Sequence, residues 1–169
     1  PSFPKQRLQL MLDDAKVAVL VTQSASLDWL PELEAVVVCV DRDAERIAQE
    51  SNRDLPPVAQ LADPYCVLYT SGSTGRPKGV VVTHRSLLNF LLSMGEKTEF
   101  TSADVIVAVT TLSFDISKLE LLLPLLHGAR TVIATLEETR DGQRLQQVLR
   151  ESNATIMQAT PSTWRMLLA

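Results

Sequence analysis

Cys66-Val67-Leu68-Tyr69-Thr70-Ser71-Gly72-Ser73-Thr74-Gly75-Arg76-Pro77-Lys78-Gly79 is the stretch around which the rest of the chain is read. Val67, Leu68 and Tyr69 form a short apolar run of the kind that makes a buried strand, and a second β-branched run, Val80 to Val82, follows Gly79 directly. Between them lie the hydroxyls Thr70, Ser71, Ser73 and Thr74, the glycines Gly72, Gly75 and Gly79, and the cations Arg76 and Lys78. Glycines let a backbone turn tightly and bring its N–H groups close to an anion. Hydroxyls can donate to phosphate oxygens or ligate magnesium, and Lys78 adds a mobile positive charge. The composition suits a polyphosphate.

The spacing excludes a Walker A loop, which requires Gly-x-x-x-x-Gly-Lys-[Ser/Thr] opening a helix. Five positions beyond Gly72 stands Pro77, Lys78 is followed by Gly79, and the lysine feeds a strand-like run. A lone Gly-x-x-Gly would read as an ordinary turn, but the string over 69–79 is far more specific.

Outward from the loop, apolar periodicity alternates between strand and helix. An amphipathic helix is expected over 4–15 and strands over 17–21 and 35–40, followed by a charged stretch over 42–57 in which Pro56 and Pro57 mark a loop. Thr83 is a plausible N-cap for a helix over 84–94. A strand over 105–109 leads to a helix opened by Ser113 to Asp115 and stopped by Gly128, with Pro124 expected to kink or shorten it. A strand over 131–134, a helix capped by Asp141, a strand over 155–158 and a helix opened by Pro161 complete the chain. This order predicts an α/β fold: a layered, largely parallel sheet with flanking helices. In open sheets of this type ligands lie beyond the carboxyl ends of strands, where residues 70–78, Phe114-Asp115 and Gln158 all fall.

The string Tyr69 to Gly79 resembles the phosphate-binding signature of the acyl-adenylate-forming enzymes, which include acyl-CoA synthetases, firefly luciferase and the adenylation domains of non-ribosomal peptide synthetases. Phe114-Asp115-Ile116-Ser117, followed by Leu119-Glu120, Pro124-Leu125 and Gly128-Ala129, is similar to the pattern of the peptide-synthetase branch. The stretches 4–22 and 154–168 also look like that family, so the resemblance covers essentially all of residues 1–169. It implies part of the large N-terminal subdomain of an adenylation domain. ATP and magnesium would be bound at Thr70, Ser71, Gly72, Ser73, Thr74, Gly75, Lys78 and Gly79, with Lys78 offsetting charge on departing pyrophosphate. An amino acid would be activated as aminoacyl-AMP and passed to phosphopantetheine on a separate carrier domain. Carrier and condensation domains of the same synthetase are the implied partners.

Asp115 taken alone reads as a helix N-cap. The resemblance makes it the counter-charge for the α-ammonium of the substrate, which a fatty acid or aryl acid lacks. This separates amino-acid activation from acyl-CoA or aryl-acid synthesis, the first alternative; the second is a nucleotide-binding module without ligase activity. By resemblance, Phe114, Asp115, Ile116, Leu119 and Gln158 belong to the substrate site, although Ile116 and Leu119 also fit core packing. The combination Asp-Ile-Leu-Gln is similar to the start of pocket signatures associated with glycine. Lys118 stands where that family commonly has an apolar residue and is expected to point away from the pocket.

Composition narrows the other classes. Of 169 residues, 46% are hydrophobic and 21% charged, enough for a core and against disorder. A net charge of −4 gives no basic field for nucleic acid. No apolar run has the length of a membrane span, and the polar start carries no signal peptide, so a cytoplasmic setting is expected. Cys39 and Cys66 read as buried free thiols, and with His84 and His127 they form no metal pattern. The chain starts without Met and lacks the family's adenine-binding motif, magnesium-binding Glu, ribose-binding Asp and C-terminal catalytic Lys. These residues alone are therefore expected to be an inactive fragment.

Overall fold

The alternation of short β-branched runs with amphipathic stretches is realised as seven strands and six α-helices among the described residues, 3–71 and 77–169, of a computed structural model. The chain divides into two compact units: residues 1–60 with 69–81, and residues 61–68 with 82–169.

In the first unit, α1 (Lys5–Asp14) precedes β1 (Val19–Thr22), a 3-10 helix (Ser24–Trp29), β2 (Val36–Cys39) and the short α2 (Ala44–Ala48). β1 and β2 are parallel, with Val19 opposite Val36 and Thr22 opposite Cys39. Their ends are tied together by Asp41. Ser24 N–H donates to both its oxygens at 2.9 and 3.1 Å, and the buried Cys39 thiol donates at 3.0 Å. These donors, Cys39 foremost, hold the Asp41 carboxyl well below the usual carboxylate range. Both cysteines are free thiols, Cys39 buried and Cys66 half-buried. The charged stretch over 42–57 contains α2, whose first turn is closed by Ile47 N–H on the Asp43 carbonyl at 2.9 Å.

β3 (Pro64–Ser71) pairs with β4 (Pro77–Thr83). In the second unit, α3 (His84–Lys97) starts at the expected cap, where the Thr83 hydroxyl accepts from Ser86 N–H at 3.3 Å. β5 (Val105–Ala108), α4 (Ser117–His127), β6 (Arg130–Ile133), α5 (Gly142–Glu151), β7 (Ile156–Met157) and α6 (Pro161–Leu168) follow. The sheet order is β6-β5-β7, all parallel, with Val107 opposite both Val132 and Met157. All four residues of the central β5 are buried, as expected for a parallel strand covered on both faces. Leu91, Phe100, Leu119 and Leu123 form one core cluster, and Val107, Leu145 and Leu167 another. Parallel pairing is thus as expected, but it is distributed over short separate sheets among the described residues.

Two details of α4 differ from expectation. The helix begins at Ser117 rather than at 113–115, and its N-cap position is Ile116, with no side-chain cap. Residues 111–116 instead form tight turns, with Phe114 N–H on the Thr111 carbonyl and Ser117 N–H on the Phe114 carbonyl. Pro124 does not shorten the helix, which runs to His127 and stops at Gly128 with φ 66°. Proline cannot donate to the carbonyl four residues back. That carbonyl, of Glu120, is taken by the Thr131 hydroxyl at 3.2 Å.

Asp104 ties the entry of β5 to that of β7. Its carboxylate accepts from Thr101 N–H and Oγ1 at 2.8 and 3.0 Å, and from Thr155 Oγ1 at 2.7 Å. Thr101 N–H foremost, then the two hydroxyls, hold its pKa below the ordinary value. A lowered folded pKa stabilises the native state above the unfolded value and loses that contribution as pH falls through the folded one. Asp104→Asn therefore lowers the unfolding midpoint at neutral pH, and the gap to the unmutated protein closes as pH falls below the ordinary carboxylate range. Thermal melts of both proteins across acid pH check this.

Candidate active site

The described part of the expected phosphate site lies in the first unit. Thr70 and Ser71 end β3, and Lys78 and Gly79 lie on its partner β4; all four are exposed. Gly72, Ser73, Thr74 and Gly75 fall outside the described residues. Below the end of β3 the Tyr69 hydroxyl donates to Asp14 at 2.6 Å. Burial foremost, then the Asp14 carboxylate, pushes this phenol up to about 12, so it stays protonated as the donor. Tyr69, read in the sequence as part of a buried strand, thus also makes this tie.

The expected amino-acid site lies in the second unit, on segments that leave neighbouring parallel strands at their carboxyl ends. β5 leads through Val109 and Thr110 into the turns carrying Phe114 and Asp115. Gln158 stands one residue past Met157, which pairs with Val107 of β5. A cavity of about 240 Å³, mostly apolar, brings Asp115 and Ile116 together with Cys66, Leu68, Phe90 and Lys118. Asp115 is exposed, and its Oδ1 accepts from Ile116 N–H at 2.8 Å. The bland N-cap reading is thus met only locally: the carboxylate caps a turn before the helix.

The other three residues lie elsewhere. Phe114 is 61% exposed, and its carbonyl accepts from the Ser117 hydroxyl at 2.6 Å. Leu119 is 5% exposed and sits in the core cluster with Leu91, Phe100 and Leu123. Gln158 does not line the Asp115 cavity; its Oε1 is buried without a hydrogen-bond partner among the described residues. A buried amide oxygen of this kind has unspent capacity for a donor.

Lys118 does not point away. It lines the cavity, and its Nζ donates to the Leu112 carbonyl and to Ser117 Oγ, both at 3.0 Å. Glu120, given no role of its own in the sequence, is fully buried, and its carboxylate accepts from Thr110 N–H at 3.0 Å and Thr110 Oγ1 at 2.9 Å. Burial foremost raises its pKa, and the donors from Thr110 and Val109 partly offset this. The signal was present in the sequence. Residues 116, 119, 120, 123 and 124 lie on one helical stripe, and Glu120 is its one charged member. Among the described residues no group of three or more His, Cys, Asp or Glu is placed to hold a metal ion. No helix among them is long and apolar enough to cross a membrane.

This arrangement has recognisable relatives. The family described as AMP-binding enzyme matches residues 1–169, and the chain belongs to that family. It is 46% identical over 171 residues to a dimodular nonribosomal peptide synthase of Bacillus subtilis (strain 168), covering 99% of this chain and 7% of that protein. It is 36% identical to tyrocidine synthase 3 of Brevibacillus parabrevis, covering 96% of this chain and 2% of that one. Among solved structures it is similar to holo-AB3403, a four-domain nonribosomal peptide synthetase bound to AMP and glycine. The TM-score there is 0.79 at 35% identity, over 99% of this chain and 12% of that one. The AMPPNP-bound form of the nonribosomal peptide synthetase FmoA3 gives a TM-score of 0.87 at 29% identity, over 99% and 17%. The resemblance to peptide-synthetase adenylation domains drawn from the sequence is borne out. The chain spans 7% or less of the length of the two curated relatives.

Proposed function

We propose that residues 1–169 are part of the N-terminal subdomain of an adenylation domain that activates an amino acid with ATP for nonribosomal peptide synthesis. The observation that carries this is the Asp115 carboxylate at a mostly apolar cavity, in a chain of the AMP-binding family. A carboxylate there attracts an α-ammonium and repels an acid without one. The substrate carboxylate attacks the α-phosphate of ATP, forming a carboxyl–phosphate bond as the bond to pyrophosphate breaks. The thiol of a phosphopantetheine carrier domain then attacks the acyl carbon, forming a thioester as the bond to AMP breaks, AMP leaves and the thiol proton is released.

Each group has a definite task. Asp115 holds the ammonium and so aims the carboxylate; Ile116 fills space beside it. Residues 70–79 hold the β- and γ-phosphates, and Lys78 offsets charge on the leaving pyrophosphate. Such chemistry depends mainly on positioning and charge neutralisation. Magnesium would enter with ATP, with Thr74 the expected protein ligand. Glycine is the proposed substrate. Asp115 and Ile116, the two members of the Asp-Ile-Leu-Gln combination that line the cavity, support it, as does the glycine bound to the related AB3403 structure. On this reading residues 1–169 alone have no turnover. Exchange of pyrophosphate into ATP by the intact protein, assayed with glycine, alanine and a fatty acid, tests the whole. Glycine-stimulated exchange supports the proposal, whereas exchange with the fatty acid alone moves the protein to the acyl-CoA branch.

A further inference from the structure

The turn that carries Asp115 is held from one side by the first turns of α4. Ser117 Oγ donates to the Phe114 carbonyl at 2.6 Å, and Lys118 Nζ donates to the Leu112 carbonyl at 3.0 Å. Glu120 closes the set by reaching back ten residues. Both of its carboxylate oxygens are engaged by Thr110, the residue at which the chain leaves β5 for that turn. A fully buried carboxylate is costly unless its lone pairs are satisfied, so the pair fixes its own geometry: moving Thr110 withdraws two of the donors that satisfy Glu120. Asp115 lies five residues after Thr110 and five before Glu120. Its own described hydrogen bonds are local: the carboxylate accepts from Ile116 N–H at 2.8 Å and the carbonyl from Lys118 N–H at 3.0 Å.

We propose that Glu120 is a positioning residue for amino-acid binding: through Thr110 it sets where the Asp115 carboxylate stands. The inference rests on the reading of Asp115 as the ammonium anchor. It assigns a role to a buried charge that the proposed chemistry otherwise leaves unused. Misplacing an anchoring group by about 1 Å costs up to roughly 100-fold in rate, so even partial loosening is measurable.

The test uses the intact protein and amino-acid-dependent ATP–pyrophosphate exchange. Thr110→Val keeps the volume, removes the hydroxyl and leaves one Glu120 oxygen without its partner. It is expected to raise KM for the amino acid about 10-fold while KM for ATP stays within about 2-fold. Thr110→Ser restores a hydroxyl and recovers the lower KM. Glu120→Leu gives the same split more strongly if it folds, and Thr110→Val carries the test if it does not. An unchanged amino-acid KM in Thr110→Val, an equal rise in both KM values, or failure of Thr110→Ser to recover overturns the positioning role. If the unmutated protein shows no amino-acid-dependent exchange, the reading of Asp115 itself fails and takes this role with it. That outcome is distinct from an active protein whose variants behave alike.

Discussion

Asp115→Ala abolishes amino-acid-dependent ATP–pyrophosphate exchange in the intact protein while leaving its fold in place. The carboxylate is exposed, and its described contact is the N–H of the next residue, so little stability rests on it. Its proposed work is done only when an ammonium arrives beside it at the mostly apolar cavity. Truncating one partner of such a charge pair costs on the order of 2–5 kcal/mol, which is roughly 30-fold to several thousand-fold in kcat/KM. Asp115→Asn should lose nearly as much, because an amide keeps the shape but not the charge. A far-UV spectrum and an unfolding midpoint close to the unmutated values, together with lost exchange, are the expected results. Lost exchange with a collapsed fold would instead make Asp115 a structural turn residue.

Leu119→Ala has its largest effect on stability. Leu119 is 5% exposed and packs with Leu91, Phe100 and Leu123 between α3 and α4. A large-to-small change at such a site costs about 2–5 kcal/mol, because the cavity left behind relaxes only in part. A pure pocket residue would behave differently: its truncation would broaden the choice of amino acid and barely move the unfolding midpoint. The expected result is a lowered midpoint in denaturant, with the order of preferred amino acids retained. An unchanged midpoint with a new preferred substrate would place Leu119 in the pocket.

Much of this was legible in the sequence because the local rules agree. Thr83 and Asp141 cap the helices they were expected to cap, Pro161 opens α6, and Gly128 ends α4 in the left-handed conformation. The β-branched run over 105–109 became the buried centre of a parallel sheet. The failures have physical reasons. Asp115 looked like a helix cap because Asp favours that position, yet the tight turns over 111–116 move the helix start to Ser117. Ile116 and Leu119 share a helical stripe, so spacing alone could not separate the cavity wall from the core. Ile116 lies at both, and Leu119 only in the core. Lys118 was expected to point away, and Glu120 was given no role, because their partners, Leu112 and Thr110, lie six and ten residues back across irregular turns that no periodicity describes.

The central claim is that an amino acid, held by Asp115, is the acid that this protein joins to AMP. ATP–pyrophosphate exchange by the intact protein with glycine, alanine and a fatty acid, run beside Asp115→Ala, tests it most directly. The account predicts exchange stimulated by an amino acid, glycine foremost, and lost in the variant. Exchange stimulated only by the fatty acid, or amino-acid-dependent exchange that survives in Asp115→Ala, would contradict it.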